Sequence, residues 1–477
     1  MSLIQELGFI NGQWVEAKSG ARFSVLNPFN GECLAQVADM GEADAVSAVE
    51  AAEAAKHVWM LTEPAERKAI IERWTDLIED NLDELTQILT SEQGKPLSQA
   101  RAEYGYALER MRFMAGEALR VHGQTLVPIA ENKRNIVVRQ PFGVVAGVAP
   151  WNFPVSTILN KIVPALAAGN TVVVKPAQDT PLTALAVTVL AEQAGFPNGV
   201  LNVLTAEDPV AIGEVLTTHP LIRKFSFTGS TAVGKKLYAQ CASTVKNIAL
   251  ELGGNSPFIV FEDADIDQAA EQAAALKFSN CGQICVNANR FFVHDAVYDE
   301  FVDKLTQHAK QLVLGSGLEA STTLGPMINE KGVVKIEALL EDALSKGAKI
   351  ETGGQRVEQT LFFQPTVLTN VDASMQFYRE EIFGPIAPVY RFSDEAQVIA
   401  MANDTEYGLA AYFYTNDLGR SWRVSHQLEA GNVCINASRS FGGGPFGGYK
   451  ASGIGREQGR VSALDEWCEV KSISIAY

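Results

Sequence analysis

Basic residues are scarce, cysteines are few, and no apolar run approaches the ~18 residues that would span a bilayer. Across 477 residues, 39 Lys and Arg stand against 56 Asp and Glu, giving a formal net charge of −17. That balance excludes a nucleic-acid binder, because neutralising phosphates needs a basic surface. It also argues against docking on anionic lipid. The six cysteines (Cys33, Cys241, Cys281, Cys285, Cys434 and Cys468) are too scattered for a disulfide framework in so long a chain. The opening residues have no basic flank and no long apolar stretch, so no signal peptide is expected, and the cytoplasm is the expected compartment. The six histidines are isolated, and HExxH and GxSxG are both missing, so neither a metal site nor a hydrolase nucleophile elbow is expected.

What is present is an apolar fraction of 47%, enough for an ample core, over a length that predicts two or more packed units. Residues 42–119 read as helical: Ile70, Ile71, Trp74, Leu77, Ile78, Leu82, Leu85, Ile88 and Leu89 recur at three-to-four spacing until Gly94 and Pro96. From about residue 136, short β-branched runs at 144–148, 171–174, 200–204, 222–227 and 247–250 alternate with helical patterns. The helix after Lys175 opens at Thr180-Pro181. Strands spaced by single helices predict a mostly parallel, doubly wound α/β sheet that binds ligands at its strands' carboxyl ends. A second α/β unit begins near 252, with helices expected over 266–280, 297–314 and 332–346 and strands over 290–293 and 387–391. Residues 125–129 and 135–139 read as two strands around a polar turn at 131–134, and 469–477 as a terminal strand. These could form an oligomerisation arm or a sheet on the same subunit.

Two glycine patterns imitate nucleotide loops. Gly229 to Lys236 nearly matches a P-loop, but Lys236 stands where the magnesium-binding Ser/Thr belongs. Gly442 to Gly447 satisfies GxGxxG, yet it contains Pro445 and opens no helix. Four other stretches point to chemistry. Pro150-Trp151-Asn152-Phe153-Pro154 offers an amide at a strand's carboxyl end, suited to an oxyanion. Lys175 ends an apolar strand. Glu251 sits between an apolar run and two glycines, and Cys285 follows a glycine turn. Each alone also suits a structural role; together they supply a nucleophile, an acid/base and an oxyanion donor.

With these motifs the chain resembles the NAD(P)-dependent aldehyde dehydrogenases over essentially its whole length. The motifs are PWNFP at 150–154, KP at 175–176, FTGS at 227–230, ELGG at 251–254, GQxC at 282–285, EEIFGP at 380–385 and PFGGYKASGIGRE at 445–457. Within that family it looks most like the succinate-semialdehyde dehydrogenases. The resemblance implies a dinucleotide-binding domain (1–119 and 141–251, with 445–459 returning to it), a catalytic domain (252–444), and an oligomerisation arm (120–140 and 460–477). A homo-oligomer, dimer or tetramer, is then expected.

The resemblance also implies roles. Cys285 matches the nucleophile, Asn152 the oxyanion donor and Glu251 the base that activates water. Trp151, Lys175, Pro176, Gln178, Gly229, Ser230, Leu252, Glu381 and Phe383 match cofactor contacts. Gln178 stands where strict NAD users carry a glutamate gripping the adenosine ribose, so NADP use is expected, with NAD also accepted. Cys281 reads as a small residue packed beside the nucleophile. Succinate-semialdehyde enzymes grip the substrate carboxylate with arginines at two tunnel positions, which here are Asn160 and Ser279. The expected replacement is Arg439 in the loop at the tunnel mouth, with Tyr106, Phe153 and Phe441 as walls. Alternatives are a general or aromatic aldehyde dehydrogenase, a coenzyme A-acylating relative, which Glu251 disfavours, and a non-catalytic homologue, which Cys285 disfavours.

Overall fold

The computed structural model describes residues 3–128, 130–438, 443–456, 459–461 and 464–477. After two short hairpins, the expected helical stretch resolves into four helices: α1 (Glu42–Leu61), α2 (Pro64–Asp80), α3 (Leu82–Gln93) and α4 (Leu97–Glu117). Gly94 closes α3 in the left-handed conformation, at φ 91°. The three-to-four stripe turns inward as expected, with Ile71, Trp74, Ile78, Leu85 and Leu89 fully buried.

The first sheet is built on parallel strands Val144–Val148, Thr171–Lys175, Leu201–Val203, Ile222–Thr228 and Asn247–Glu251. Numbered along the chain, their spatial order is 3-2-1-4-5. The order reverses between 144–148 and 222–228, the point where such sheets bind ligands. Helices α5 (Pro154–Ala168), α6 (Pro181–Ala194), α7 (Val210–Thr218) and α8 (Thr231–Cys241) connect and cover the strands. Apolar cores on the two faces explain why these strands read as unbroken β-branched runs. Gly8–Ile10 and Gly453–Ile454 close the edges antiparallel.

The second sheet has six parallel strands, Ser256–Val260, Ala288–His294, Thr366–Thr369, Ile386–Phe392, Ala410–Tyr414 and Asn432–Ile435, with Lys349–Thr352 antiparallel at one edge. It has its own core. Helix α9 (Ile266–Phe278) stops two residues before the expected 280, because Asn280 and Cys281 take φ of 49° and 54°, which no right-handed helix accommodates. The expected helices at 297–314 and 332–346 run Tyr298–Lys310 and Glu330–Ser345.

The terminal strand Cys468–Ala476 pairs along its whole length with Lys133–Pro141, which also carries the two-residue strand Gln124–Thr125. The expected turn at 131–134 is therefore corrected. Lys133 and Arg134 already lie in the strand, drawn in by pairing with Ala476 and Ile475. The first arm strand is shorter than expected, and Ile129 lies outside the described residues. Leu464, Trp467 and Cys468 pack into the first core, so only the chain beyond them projects. Among the described residues, no helix is long and apolar enough to cross a membrane, and no group of side chains could hold a metal ion. All six cysteines are free thiols.

Candidate active site

The turn carrying Cys285 is wound left-handed through Asn280, Cys281 and Gly282 in succession, Gly282 at φ 77°. At Gly282 a Cβ would lie 2.1 Å from the Gly384 carbonyl oxygen, so only glycine lets the two backbones meet. Gln283 pins the turn: its side-chain amide donates to the Asn280 carbonyl at 3.0 Å, and its oxygen accepts from the Ile328 N–H at 3.0 Å. The half-buried Cys285 thiol is pushed up to about 12, first by burial and then by the Glu381 and Glu251 carboxylates. The backbone N–H groups of Val286 and of Cys285 itself pull the other way, so amide donors already face the sulfur. Cys281, sealed into the second core, is pushed up to about 12 by burial, with Lys277 opposing. That is the packed role expected of it.

Asn152 is buried just past the strand 144–148, and its side-chain N–H donates to the Gln283 carbonyl at 2.9 Å. It is thus aimed at the turn that holds Cys285. Its own carbonyl accepts from Lys95 Nζ at 2.8 Å and from the Asn280 amide at 2.9 Å. Lys95 forms an ion pair of 2.5 Å with Glu103, both side chains only 1% exposed. The second Glu103 oxygen accepts the N–H groups of Val155 and Ser156, both at 3.1 Å, neutralising the first turn of α5. Burial lowers the Lys95 pKa and Glu103 opposes the shift. Sequence reasoning missed both residues. The hint was a lysine beside Gly94 at a helix end, but its partners lie 8 and 57 residues away.

Glu251 ends its strand, buried, and the two glycines after it are held by hydrogen bonds. The Gly253 N–H donates to Thr231 Oγ1 at 3.2 Å, and the Gly254 N–H to Glu381 Oε1 at 3.0 Å. A Cβ on Gly254 would stand 2.4 Å from the Cys285 carbonyl oxygen, so the glycine lets the end of the Glu251 strand meet the Cys285 turn. Burial pushes Glu381 up to about 7, opposed by the Gly254 N–H and by Lys335 and Lys277. Phe383, at φ 55°, turns its ring edge-on to Trp151 at 5.5 Å. Leu252 is tied through its N–H to the Ser452 carbonyl at 2.9 Å.

The residues expected to meet the cofactor follow the carboxyl ends of the strands at and beside the reversal of strand order. Gly229 follows the strand 222–228, and Ser230 caps α8, leaving a helix N-terminus suited to phosphate. Cβ atoms at Gly229 and Gly234 would lie 2.4 Å from the Phe227 ring and from Leu252, so glycines set how closely α8 approaches the strands. Lys175 is buried, donates to the Pro176 carbonyl at 3.0 Å, and is lowered to about 8 by burial. Gln178 is half-buried and donates to Asp179 Oδ2 at 2.7 Å. Asp179 was missed by sequence reasoning. It sets a carboxyl beside Gln178, its pKa raised by burial although Asn329 donates to it. Glycine cradle, helix N-terminus and strand-end lysine together fit a dinucleotide.

Of the expected substrate residues, Asn160 lies buried on α5 and accepts from Arg110 Nε at 2.7 Å. Ser279 Oγ donates to Gln99 at 3.5 Å. Tyr106 is exposed on α4, and Phe153 lies under Lys95 Nζ at 4.2 Å. Arg439 and Phe441 fall outside the described residues.

A dinucleotide-type sheet with a cysteine, an amide and buried carboxylates grouped beyond its strand ends is the architecture of an oxidoreductase. The chain belongs to the aldehyde dehydrogenase family, which matches residues 14–473, and it oxidises aldehydes to acids with NAD or NADP. It is 49% identical to a 3-sulfolactaldehyde dehydrogenase of Pseudomonas putida, over 99% of this chain and 98% of that protein. It is 48% identical, with the same coverage, to the NADP-specified succinate-semialdehyde dehydrogenase of Escherichia coli K12. Among solved structures, a succinate-semialdehyde dehydrogenase from Burkholderia pseudomallei superposes with a TM-score of 0.98 at 50% identity, covering 100% of this chain and 99% of that one.

Proposed function

We propose that Cys285 attacks the aldehyde carbon, its proton passing to a neighbouring carboxylate, and that the tetrahedral oxyanion is held by the Asn152 amide and the Cys285 N–H. Bound NAD(P) supplies the hydride acceptor, with Trp151, Lys175, Pro176, Gln178, Gly229, Ser230, Leu252, Glu381 and Phe383 as its contacts. The thioester left on Cys285 is hydrolysed by water that Glu251 deprotonates, releasing the acid and restoring the thiol. The observation that carries this reading is the convergence of the Asn152 amide and the Gly254 backbone on the Cys285 turn.

The substrate in this reading is succinic semialdehyde or a similar ω-anionic aldehyde. The substrates for which the relatives are named support it, and so does the expectation from the sequence that Arg439 replaces the missing arginines. Measurable NADP use follows from Gln178. Residues 1–119 and 141–251 form the cofactor domain, rejoined by 445–459, and 252–444 the catalytic domain. The strand sheet of 120–140 and 460–477 is the arm of a cytoplasmic homo-oligomer. Val470, Ile473, Ile475 and Tyr477 lie exposed along it, as an interface strand would present them. The test is a burst of NAD(P)H with a panel of aldehydes, with and without coenzyme A. Burst and turnover independent of coenzyme A are expected; turnover requiring it would reject hydrolysis.

A further inference from the structure

Both tunnel positions expected to carry arginine hold Asn160 and Ser279 instead, yet a guanidinium lies against one of them. Arg110 sits on α4, one turn beyond Tyr106, and is half-buried. Its Nε donates to Asn160 Oδ1 at 2.7 Å, and its Cζ lies 5.7 Å from the Tyr106 ring centre. Its Nη2 is buried and has no hydrogen-bond partner among the described residues.

The other α4 arginines behave differently. Arg101 pairs with Asp83, and Arg112 with Glu79 and Asp76. The neighbouring Glu109 is taken by Arg460. Arg110 alone on this helix has no carboxylate partner among the described residues, and its only hydrogen-bonded partner there is a neutral amide oxygen. A permanently charged fork with a buried, unused N–H is costly to keep unless an anion completes it.

The position suits a substrate anion. Glu103, on the same helix, anchors the first turn of α5 behind Asn152. Arg110 lies seven residues further on, about 10 Å of helix rise. It therefore stands on the same flank of the site as the oxyanion donor but displaced from it, as the far end of an extended ω-carboxy aldehyde is displaced from its carbonyl.

We infer that Arg110, oriented by Asn160, binds the terminal carboxylate of the substrate and sets the preference for ω-anionic over neutral aldehydes. This rests on the anionic-aldehyde reading above and moves its recognition residue from the tunnel-mouth loop to α4. The Arg110 guanidinium donates to the carboxylate through its unused N–H, Asn160 holds its plane, and Tyr106 covers its face.

The test compares kcat/KM for succinic and glutaric semialdehydes with that for butanal and pentanal, in wild type, R110Q, R110K and R439A. R110Q keeps a donor for Asn160 and removes the charge. Its kcat/KM for the semialdehydes should fall about 10- to 100-fold, through KM, while the neutral aldehydes hardly change. R110K, with charge but no fork, should recover only part of the loss, and it replaces R110Q as the decisive variant if R110Q does not fold. Glutarate, used as a non-reacting probe, should raise the melting temperature of wild type and not of R110Q. A wild type without preference for semialdehydes overturns the substrate reading and this inference together. A wild-type preference that survives in R110Q, or collapses only in R439A, overturns the Arg110 assignment and leaves the substrate reading standing.

Discussion

Helices α5 and α6 follow neighbouring strands, both begin with proline, and both have their first-turn N–H groups taken by a buried glutamate from the preceding helical layer. Glu103 accepts from Val155 and Ser156 at the start of α5; Glu92 accepts from Leu182 and Thr183, at 2.8 and 2.7 Å, at the start of α6. Their charges are handled differently. Glu103 has Lys95 at 2.5 Å, whereas Glu92 has no ion-pair partner among the described residues and is pushed up to about 8 by burial. The helix behind Asn152 is thus fixed by a neutralised pair, while the helix behind Lys175 to Asp179 rests on a carboxyl that titrates near neutral pH. In the function proposed above, chemistry is set on the charge-balanced side and cofactor accommodation on the other.

The largest effect expected on the chemical side is from Cys285→Ala, which should lower turnover by about 10⁴-fold or more. NAD(P)H fluorescence titration should find cofactor affinity nearly intact. Glu251→Gln separates the two chemical steps: a single-turnover burst should survive while steady-state turnover falls about 10²- to 10⁴-fold, and equal loss of both would remove Glu251 from hydrolysis.

Lys95→Met tests the balanced pair directly. It strands Glu103 in the core and should cost about 3–5 kcal/mol in denaturant unfolding, with partial recovery in the Lys95→Met/Glu103→Gln double variant. No recovery would mean that Lys95 acts through Asn152 alone.

Glu92 makes a smaller, pH-dependent contribution. With its pKa raised from 4.5 to about 8, the folded protein holds a proton that the unfolded chain has released. Its stability contribution is fully present below about pH 4.5 and is lost as pH rises toward 8, at about 1.4 kcal/mol per pH unit within that window. Glu92→Gln should remove that slope, and an unchanged slope would assign it elsewhere. Smallest is Gln178→Glu, which should lower kcat/KM with NADP by about tenfold relative to NAD. An unchanged ratio would point to Asp179 as the group that already sets it.

How far the sequence reaches is visible in the same elements. The strands at 144–148, 171–175 and 222–228 were legible because burial on both faces leaves unbroken β-branched runs. Thr180-Pro181 marked the start of α6 because proline at a first helical position is a local signal. Asn152, Glu251 and Cys285 stood out by their local patterns and took their expected roles from a resemblance; the Asn152 amide meets the Cys285 turn, and the Glu251 carboxylate lies near enough to act on the Cys285 thiol. Glu92, Lys95, Glu103 and Arg110 were not, because each acts on a backbone or amide group 50 to 90 residues away. No spacing rule connects such positions. Asp179 went unnoticed beside Gln178 because only burial and Asn329 make it more than a surface acid.

The glycine contacts around Cys285 bear on protein engineering. Gly282 touches the backbone at Gly384, and Gly254 touches the backbone at Cys285 itself, with no side chain between. The spacing of Cys285 and the Glu251 strand end, the proposed nucleophile and base, is therefore gauged by main chain, and one added methyl at either glycine alters it. Grafting this thiol site onto another scaffold would require four separate stretches to travel as a unit: the loop 150–154, the turn 278–285, the strand end 251–254 and the loop 381–385. Phe278, Cys281 and Ile382 in the core of the second sheet, and Leu252 in a core of the first, lie within these stretches, so variation for stability is kept apart from variation for reactivity only at core residues outside them.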